Sequence, residues 1–273
     1  MEIEQLRQTA VNVRRSIITM LTEAGSGHPG GSLSAVELVV GLYFNEMKFS
    51  PAKPDDPGRD YFILSKGHVC PVLYAVLAEL KCIESAELCT LRKTGSRLQG
   101  HPAMDRKLPG IEVSSGSLGY GLSIGVGAAL GHKRENKPNR VYVLMGDGEQ
   151  QEGSIWEAAM SASHFGLDNL CGIVDLNGLQ IDGRVKDIMN VEPLAEKYRA
   201  FGWNTIEIDG HDFKQVLAAY GAARAAKGKP TAIIAKTVKG KGVSFMENNA
   251  DWHGKAPNKE QMAQALKELV LKA

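Results

Sequence analysis

The sequence predicts an α/β fold with a doubly wound, mainly parallel sheet between helix layers, and three observations carry this prediction. Apolar runs rich in β-branched residues alternate with helical stretches along much of the chain. These runs are continuous, which is typical of strands buried on both faces. No repeat, long linker or shift in composition divides the 273 residues, and this length suffices for one large hydrophobic core. We therefore expect a single domain over residues 1–273.

The first ninety residues are predicted to contain three helices and one strand, joined by loops. A first helix should end at the glycines of EAGSGHPGG, because apolar residues recur at helical spacing at Leu6, Ala10, Val13, Ile17 and Leu21. A second helix is expected from about Leu33 to Asn45. After a proline-rich loop, YFIL predicts a short strand and HVCPVLYAVLAEL a helix.

The rest of the chain begins with a long irregular stretch and then alternates regularly. Residues 94–119 are rich in glycine but not of low complexity, so we interpret this stretch as functional. A helix of small residues, GLSIGVGAALGHKR, should follow. The later strands are VYVLM, CGIVDL, NTIEI and TAIIAKT, with helices near residues 153–164, 193–200 and 212–226. Asn258 should cap a closing helix that has Met262, Leu266, Leu269 and Val270 on one face.

Composition excludes several functional classes. The net charge is +1, from 32 basic and 31 acidic residues, so nothing indicates a nucleic-acid or membrane partner. No stretch is apolar enough to span a bilayer, and the amphipathic N-terminal segment does not resemble a signal peptide. No CxxC pair occurs among the four cysteines, Cys70, Cys82, Cys89 and Cys171. We expect buried, reduced thiols and a cytoplasmic protein, not a disulfide framework or a zinc site.

The stretch MGDGEQQEG places a carboxylate, Asp147, between two glycines at the end of the strand VYVLM. Asn177 follows the next strand at the equivalent edge, where open parallel sheets bind ligands. A carboxylate and an amide oxygen suit Mg²⁺ or Ca²⁺ with a phosphate, and do not suit zinc. Gly146 and Gly148 would let a diphosphate approach, and a helix starting near Gly153 would add a positive dipole. The alternative for GDG alone is a strand-to-helix turn with a capping aspartate.

The GDG motif, with NG thirty positions after the aspartate, resembles the thiamine diphosphate–Mg²⁺ motif. Six stretches resemble transketolase, in order along the chain: SGHPGGSLS (26–34), ILSKGHVCPVLYAVL (63–77), LQGHPA (98–103), SSGSLGYGLSIGVGAALG (114–131), GDGEQQEGSIWEAAMSA (146–162) and TVKGKGVSFME (237–247). The resemblance runs from Ser26 to beyond His253 and is specific, since all six are in register. It implies transfer of a two-carbon ketol unit from a ketose phosphate to an aldose phosphate.

The resemblance also implies roles for individual residues. The Mg²⁺ ligands would be Asp147, Asn177 and the backbone carbonyl of Leu179, and Ca²⁺ could substitute. Cofactor contacts would come from His68, Gly116, Ser117, Leu118, Gly148, Glu149, Asn177, Ile181 and His253. The family usually has proline at the position of Ser117; a backbone contact survives this change, but the rigidity of the loop is in doubt.

The implied catalytic residues are His28, His101, His253 and Glu152. The match assigns His28 and His101 to the substrate, and His68 and His253 to the surroundings of the diphosphate and the reacting carbons. Any one of these histidines alone would more often be a loop or core residue, although neutral imidazoles can relay protons near pH 7. Glu152 matches an acid in a carboxylate network that links two active sites, but a helix dipole also favours a first-turn glutamate. The other three histidines, His132, His164 and His211, match no site and should be structural or on the surface.

The resemblance covers only the diphosphate-binding domain. A full transketolase also has a pyrimidine-binding domain, which holds the acid that activates the cofactor, and a C-terminal domain. The chain is therefore identified as the N-terminal subunit of a split transketolase, active only with a C-terminal subunit in an α2β2 heterotetramer. The helices at 119–131 and 153–164 are the predicted contacts.

Four alternatives remain beside this interpretation. The α-subunits of 2-oxo acid dehydrogenases carry GDG…N but lack SGHPGG and KGKGVSF, and deoxyxylulose-phosphate synthase has its substrate histidine in another local pattern. GYGLSIG could belong to a nicotinamide-binding module, but that fingerprint should follow a strand. A catalytically silent regulatory subunit would not need the four histidines. The sugar could be an ordinary pentose phosphate or a modified sugar phosphate.

Overall fold

The computed structural model of the protein describes residues 1–271. A five-stranded sheet has the order β1-β2-β3-β7-β6, and each pair of neighbouring strands is parallel. The strands are β1 (Tyr61–Leu64), β2 (Val141–Gly146), β3 (Leu170–Leu176), β6 (Asn204–Asp209) and β7 (Thr231–Lys236). A small antiparallel pair, β4 (Leu179–Gln180) and β5 (Gly183–Arg184), follows β3 and was not predicted. The predicted fold class is confirmed.

Helices cover both faces of the sheet. In the part of the chain that the structure describes they are α1 (Ile3–Ala24), α2 (Pro29–Ser34), α3 (Val36–Gly41), α4 (Cys70–Glu79), α5 (Tyr120–Arg134), α6 (Gly153–His164), α7 (Val185–Ile188), α8 (Leu194–Ala200), α9 (Phe213–Ala225) and α10 (Lys259–Glu268). Alternate residues of β2 enter two separate cores: Tyr142 and Leu144 pack with α1, α3, α4 and α9, whereas Val141 and Val143 pack with α5, α6 and α8. The sheet is therefore doubly wound, as its continuous apolar strands predict.

Two predicted elements differ from the structure. The second helix begins at Pro29, four residues earlier than expected, and is interrupted at Ala35 before α3 and a π-helical turn, Leu42–Glu46. Proline is favoured in the first turn of a helix, which accounts for the earlier start. The prediction that NTIEI is buried on both faces is wrong for β6, in which Ile208 is the buried residue. This strand lies at the edge of the sheet and pairs only with β7.

The ends of the chain follow the predicted pattern with one exception. All five predicted apolar residues of α1 are buried. The Asn258 side chain accepts a hydrogen bond from Gln261 N and caps α10. Leu269 is buried and Met262 and Leu266 are half-buried, but the prediction is wrong for Val270, which lies beyond the end of α10 and is exposed.

The cysteines are free thiols, but not all of them are buried. Cys70 and Cys171 are buried and Cys82 is half-buried. The expectation is wrong for Cys89, which is exposed in a 3₁₀ turn, Ser85–Thr90. Within residues 1–271, none of the helices has the length and apolar character needed to cross a membrane.

Candidate cofactor and metal site

The carboxyl ends of β2 and β3 bring together Asp147 and Asn177, the two side-chain ligands among the three predicted metal ligands. Gly146, the last residue of β2, lies opposite Asp175 of β3. Asp147 follows at once and is buried, and its Oδ1 accepts a hydrogen bond of 2.8 Å from Gly148 N. Its Oδ2 accepts one of 2.5 Å from Gly178 N, in the turn after β3. The aspartate is thus held beside Asn177.

The other two predicted ligands are fixed by this same turn. Asn177 Oδ1 accepts a hydrogen bond from Leu179 N at 3.1 Å, and its Nδ2 donates to Asp175 Oδ2 at 3.3 Å. The Leu179 carbonyl accepts a hydrogen bond of 3.2 Å from the Lys239 ammonium. A cationic group therefore already contacts one of the three predicted oxygen donors.

The chemistry of this donor set fits a hard cation. Among residues 1–271 no three or more His, Cys, Asp and Glu side chains are grouped so that they could hold a metal ion. A metal here would need amide, backbone and phosphate oxygens besides Asp147, which suits Mg²⁺ or Ca²⁺. Burial, and then the neighbouring Asp175, raise the pKa of Asp147 to about 6, so a bound cation would stabilise the charged carboxylate.

A cavity of about 440 Å³ collects nearly all of the predicted residues. Its lining includes His28, His68, His101, Gly116, Leu118, Asp147, Gly148, Glu149, Glu152, Asn177, Leu179, Ile181 and His253. Ser117 is not part of this lining, and it is exposed. The size is typical of a cofactor site. A cavity of about 720 Å³ adjoins it and shares three residues with it, but no histidine lines it.

Three histidines form a cluster of rings in this cavity. The centroids of His28 and His68 are 5.0 Å apart, those of His68 and His253 5.2 Å, and those of His28 and His253 5.4 Å. Burial is the main cause that lowers the pKa of His28 to about 4, of His68 to about 2 and of His253 to about 3. All three imidazoles are therefore neutral near pH 7.

The contacts of Nδ1 in His253 and in His28 indicate how these two rings can form hydrogen bonds. His253 Nδ1 lies 2.9 Å from the Lys239 ammonium. Because an ammonium group only donates hydrogen bonds, Nδ1 accepts and Nε2 carries the proton when the ring is neutral. His28 Nδ1 is buried and has no hydrogen-bond partner among residues 1–271. Such a buried polar atom beside a cavity fits a site that takes a polar ligand.

Gly116 and His101 meet on the irregular stretch before α5. Gly116 has a φ of +152°, and a Cβ atom there would lie 3.1 Å from the His101 ring. A residue with a side chain would therefore be strained and would press on the histidine. The pKa of His101 is lowered by burial and then by Arg92, although the residue is exposed.

The two predicted glutamates have different surroundings. Glu149 is 3% exposed, and its carboxylate accepts hydrogen bonds from the Ser65 hydroxyl, from Gly119 N at 2.8 Å and from Gly146 N at 2.9 Å. These bonds tie the loop after β1, the start of α5 and the end of β2 to one carboxylate. Glu152 is exposed and directly precedes α6.

Sequence reasoning missed two buried lysines that line the cavity and a buried aspartate behind it. Lys66 forms an ion pair with Asp175, and both side chains are at most 3% exposed. Lys239 is 2% exposed, and burial lowers its pKa to about 8. Both lysines stand next to glycines in stretches that carry the resemblance, but the sequence does not distinguish a buried lysine from a surface one.

The remaining histidines are structural or on the surface, as predicted. His211 Nδ1 lies 2.9 Å from Glu37 Oε2, and its Nε2 accepts a hydrogen bond from Val238 N. His132 is buried against the Tyr61 ring, and His164 is exposed.

Comparison with known proteins decides among the enzyme classes. The family model described as "Transketolase, thiamine diphosphate binding domain" matches residues 6–272. The chain belongs to the transketolase family. The α-subunits of 2-oxo acid dehydrogenases and deoxyxylulose-phosphate synthase are therefore set aside. A nicotinamide fingerprint is also not supported, because GYGLSIG follows an irregular segment and not a strand.

Transketolase relatives are of two lengths. A relative from Phocaeicola vulgatus, named as one of the subunits of apulose-4-phosphate transketolase, is 40% identical over 98% of this chain and 95% of the relative. The 6-deoxy-6-sulfo-D-fructose transketolase subunit SqwG of Clostridium sp. is 42% identical over 97% of this chain and 96% of the relative. Human transketolase is 42% identical, but the match covers only 42% of its length. The crystal structure of transketolase from Campylobacter jejuni superposes with a TM-score of 0.92 and 30% identity, over 98% of this chain and 43% of that one.

Proposed function

We propose that this protein is the thiamine diphosphate- and Mg²⁺-binding subunit of a split transketolase. Together with a separate C-terminal subunit it transfers a two-carbon ketol unit from a ketose phosphate to an aldose phosphate. One observation supports the proposal: Asp147, Asn177 and Leu179 line one cavity at the carboxyl edge of the sheet, together with a cluster of three neutral histidines.

The metal and the diphosphate would be held by the ends of β2 and β3. Asp147, Asn177 and the Leu179 carbonyl would bind Mg²⁺, or Ca²⁺ in its place, and the Gly148 backbone would contact the diphosphate. Two cations, Lys66 and Lys239, also line this cavity and would offset phosphate charge. Gly116, Ser117, Leu118 and Ile181 would contact the cofactor rings. When bound, thiamine diphosphate supplies the acidic thiazolium carbon that carries the ketol unit.

The histidines would handle protons and orient the sugar. A neutral imidazole offers one donor and one acceptor, so His28 and His101 can hydrogen-bond substrate hydroxyls and the carbonyl. In His253 the proton is on Nε2, because Lys239 occupies Nδ1. His253 would therefore donate from Nε2 near the reacting carbons, with His68 beside it. This use of all four histidines argues against a regulatory subunit that is catalytically silent.

An apolar surface next to the cavity supports the need for a partner. Tyr120 and Ile124 on α5 and Met160 on α6 are 59%, 38% and 54% exposed. The exposed Glu152 lies between these two helices in sequence, where it could join a carboxylate network across the interface. The relatives named as subunits match this chain nearly end to end, which supports a partner with the pyrimidine-binding domain. We propose an α2β2 heterotetramer located in the cytoplasm.

The substrate class follows the names of the relatives. One relative is named for a sugar phosphate, apulose 4-phosphate, and another for a sulfonated ketose, 6-deoxy-6-sulfo-D-fructose. Both sugars carry an anionic group, so we propose an anionic ketose donor, with ordinary pentose phosphates and modified sugar phosphates as the two candidates to assay.

The test of this proposal is Asp147→Ala. The variant removes the only anionic ligand proposed for the metal, so we expect Mg²⁺-dependent thiamine diphosphate binding to fall by more than the roughly 10–100-fold that loss of an outer-shell partner costs. Titration calorimetry on the chain with its partner, with and without Mg²⁺, measures this effect. Asp209→Ala is the matched control, because Asp209 is an exposed aspartate at the same end of edge strand β6. Unchanged affinity in Asp147→Ala would rule out the assignment.

A further inference from the structure

The Asp175 carboxylate is the most highly connected group behind the proposed metal site. It is 0% exposed and lies at the end of β3, two residues before Asn177. Ser34 Oγ donates to its Oδ2 at 2.5 Å, and the Lys66 ammonium and the Thr237 hydroxyl donate to it as well. These donors come from α2, from the loop after β1 and from the end of β7.

The fourth donor connects this carboxylate to a proposed metal ligand. Asn177 Nδ2 donates to Asp175 Oδ2 at 3.3 Å, which is longer than the other contacts. An ionised carboxylate only accepts hydrogen bonds, and Asp175 forms a buried ion pair with the Lys66 ammonium. The amide nitrogen of Asn177 must therefore face Asp175, and its oxygen must face the other way.

The orientation of this amide determines where two oxygen donors lie. Asn177 Oδ1 points away from Asp175 and accepts the hydrogen bond from Leu179 N. This bond closes the turn that presents the Leu179 carbonyl. If the amide turned over, Asn177 Oδ1 would meet a carboxylate oxygen with no proton between them, and Leu179 N would face an NH₂ group. One carboxylate thus selects the arrangement of two proposed ligands.

We propose that Asp175 is a positioning residue that orients Asn177, and through it Leu179, for Mg²⁺. This inference rests on the proposed metal site and adds to it a residue that would touch neither the metal nor the cofactor. Outer-shell carboxylates that orient metal ligands typically change metal affinity by about 10–100-fold when they are replaced. The proposed effect of Asp175 on Mg²⁺ affinity comes from the orientation of the Asn177 amide, and not from the stability of the Lys66–Asp175 ion pair.

Asp175→Asn tests the proposal directly. In this variant Lys66 still requires an acceptor at the Oδ2 position, but a neutral amide oxygen is a weaker acceptor for Asn177 Nδ2 than a carboxylate, so the preference for one amide orientation is reduced while side-chain size is kept. We expect Mg²⁺ affinity, titrated with thiamine diphosphate present on the chain with its partner, to fall by about tenfold or more. The matched control is Ser34→Ala, which removes a shorter hydrogen bond to the same carboxylate but leaves Asn177 in place. It should lower thermal stability without changing Mg²⁺ affinity.

Asn177→Asp is a second variant that keeps both residues of the buried Lys66–Asp175 ion pair. Aspartate is a stronger ligand for Mg²⁺ than asparagine, so a site in which Asp175 has no role would bind the metal at least as tightly. Since the new carboxylate would lie against Asp175 without a proton to share, we expect weaker Mg²⁺ binding.

The outcomes separate this inference from the proposed function. If the unaltered protein shows no Mg²⁺-dependent cofactor binding, the proposed function fails. If the unaltered protein binds, and folded Asp175→Asn binds Mg²⁺ equally well or Asn177→Asp binds it at least as tightly, only the positioning role is refuted. Weaker binding in both variants, with Ser34→Ala unchanged, supports it.

Discussion

At the scale of single residues, burial sets the charge states in the cavity. Its largest effect among the histidines is on His68, whose pKa is about 2, and desolvation lowers the pKa of Lys239 as well. Removing these groups from water favours their uncharged forms, which for the histidines are the forms that can both donate and accept a hydrogen bond. The histidines therefore have separate roles that substitutions can distinguish.

His28→Ala and His101→Ala should lower the rate of ketol transfer by about 10²–10⁴-fold, the usual cost of losing an acid–base or orienting group. Cofactor affinity should stay nearly intact, because both residues are assigned to the sugar. Steady-state rates with the partner present, together with calorimetric titration of thiamine diphosphate, measure the two quantities. His164→Ala is the control, because His164 is an exposed histidine outside the cavity. A variant that fails to bind the cofactor would show that its histidine is misplaced.

His68 should make the isolated chain sensitive to acid. Its pKa is about 2 in the folded protein against 6.5 for a free histidine, so below pH 6.5 the unfolded chain binds a proton that the folded chain does not. The free energy of unfolding should therefore fall as the pH decreases from 6.5, with a contribution from His68 of up to about 1.4 kcal/mol per pH unit. Denaturant titrations at pH 7 and pH 5 should show a smaller loss for His68→Asn than for the unaltered chain. Equal losses would contradict this pKa.

The sequence predicts the proposed metal ligands better than it predicts the buried residues that hold those ligands in place. Asp147 and Asn177 were recognisable because they follow strands of a parallel sheet, and such strand ends converge. Asp175 and Lys66 could not be recognised from the sequence, since their role depends on burial and on an ion pair between residues more than a hundred positions apart. Glu149 was predicted as a cofactor contact, and only its hydrogen bonds from Ser65, Gly119 and Gly146 reveal that it holds the loop after β1, the start of α5 and the end of β2 together.

At the scale of elements, α5 carries an exposed face of small and apolar residues. Tyr120, Ser123, Ile124, Gly127 and Gly131 are exposed and recur at helical spacing. A Cβ atom at Gly127 or Gly131 would meet nothing within 4 Å. Small residues on an uncovered helix face allow another element to approach closely, so α5 is the best candidate for the partner interface.

Gly127→Leu tests this interface without straining the chain itself. Leucine favours a helix over glycine by up to about 1 kcal/mol, so the thermal stability of the isolated chain should be unchanged or higher. Association with the partner, followed by light scattering, should weaken by at least about tenfold because the added side chain occupies the contact. Gly221→Leu on α9 is the matched control, since a Cβ atom there also meets nothing within 4 Å. Equal association by both variants would exclude α5 from the interface.

Long elements with clear periodicity were predictable, and short or interrupted ones were not. The five apolar residues of α1 and the cap at Asn258 follow local rules. The interruption at Ala35 and the edge position of β6 depend on tertiary packing and strand order, which the local pattern does not contain. The β4–β5 pair has only two residues in each strand, too few to show an alternation.

At the scale of the whole molecule, we propose that the chain supplies half of a transketolase active site. In this proposal the cavity holds a metal, a diphosphate and a sugar, and the family's activating acid lies on the partner. The chain spans less than half the length of the solved transketolases that it resembles, and nearly all of the relatives named as subunits. The central claim is therefore that activity requires two different chains.

A ketol-transfer assay on this chain alone, on the partner alone and on their mixture tests that claim most directly. The partner is a chain with the pyrimidine-binding domain, and the donors are pentose phosphates and modified sugar phosphates. We predict no turnover by either chain alone, and turnover by the mixture at a mass, measured by light scattering, of two copies of each chain. Full turnover by this chain alone would contradict the account, because the activating acid would then have to lie within these 273 residues.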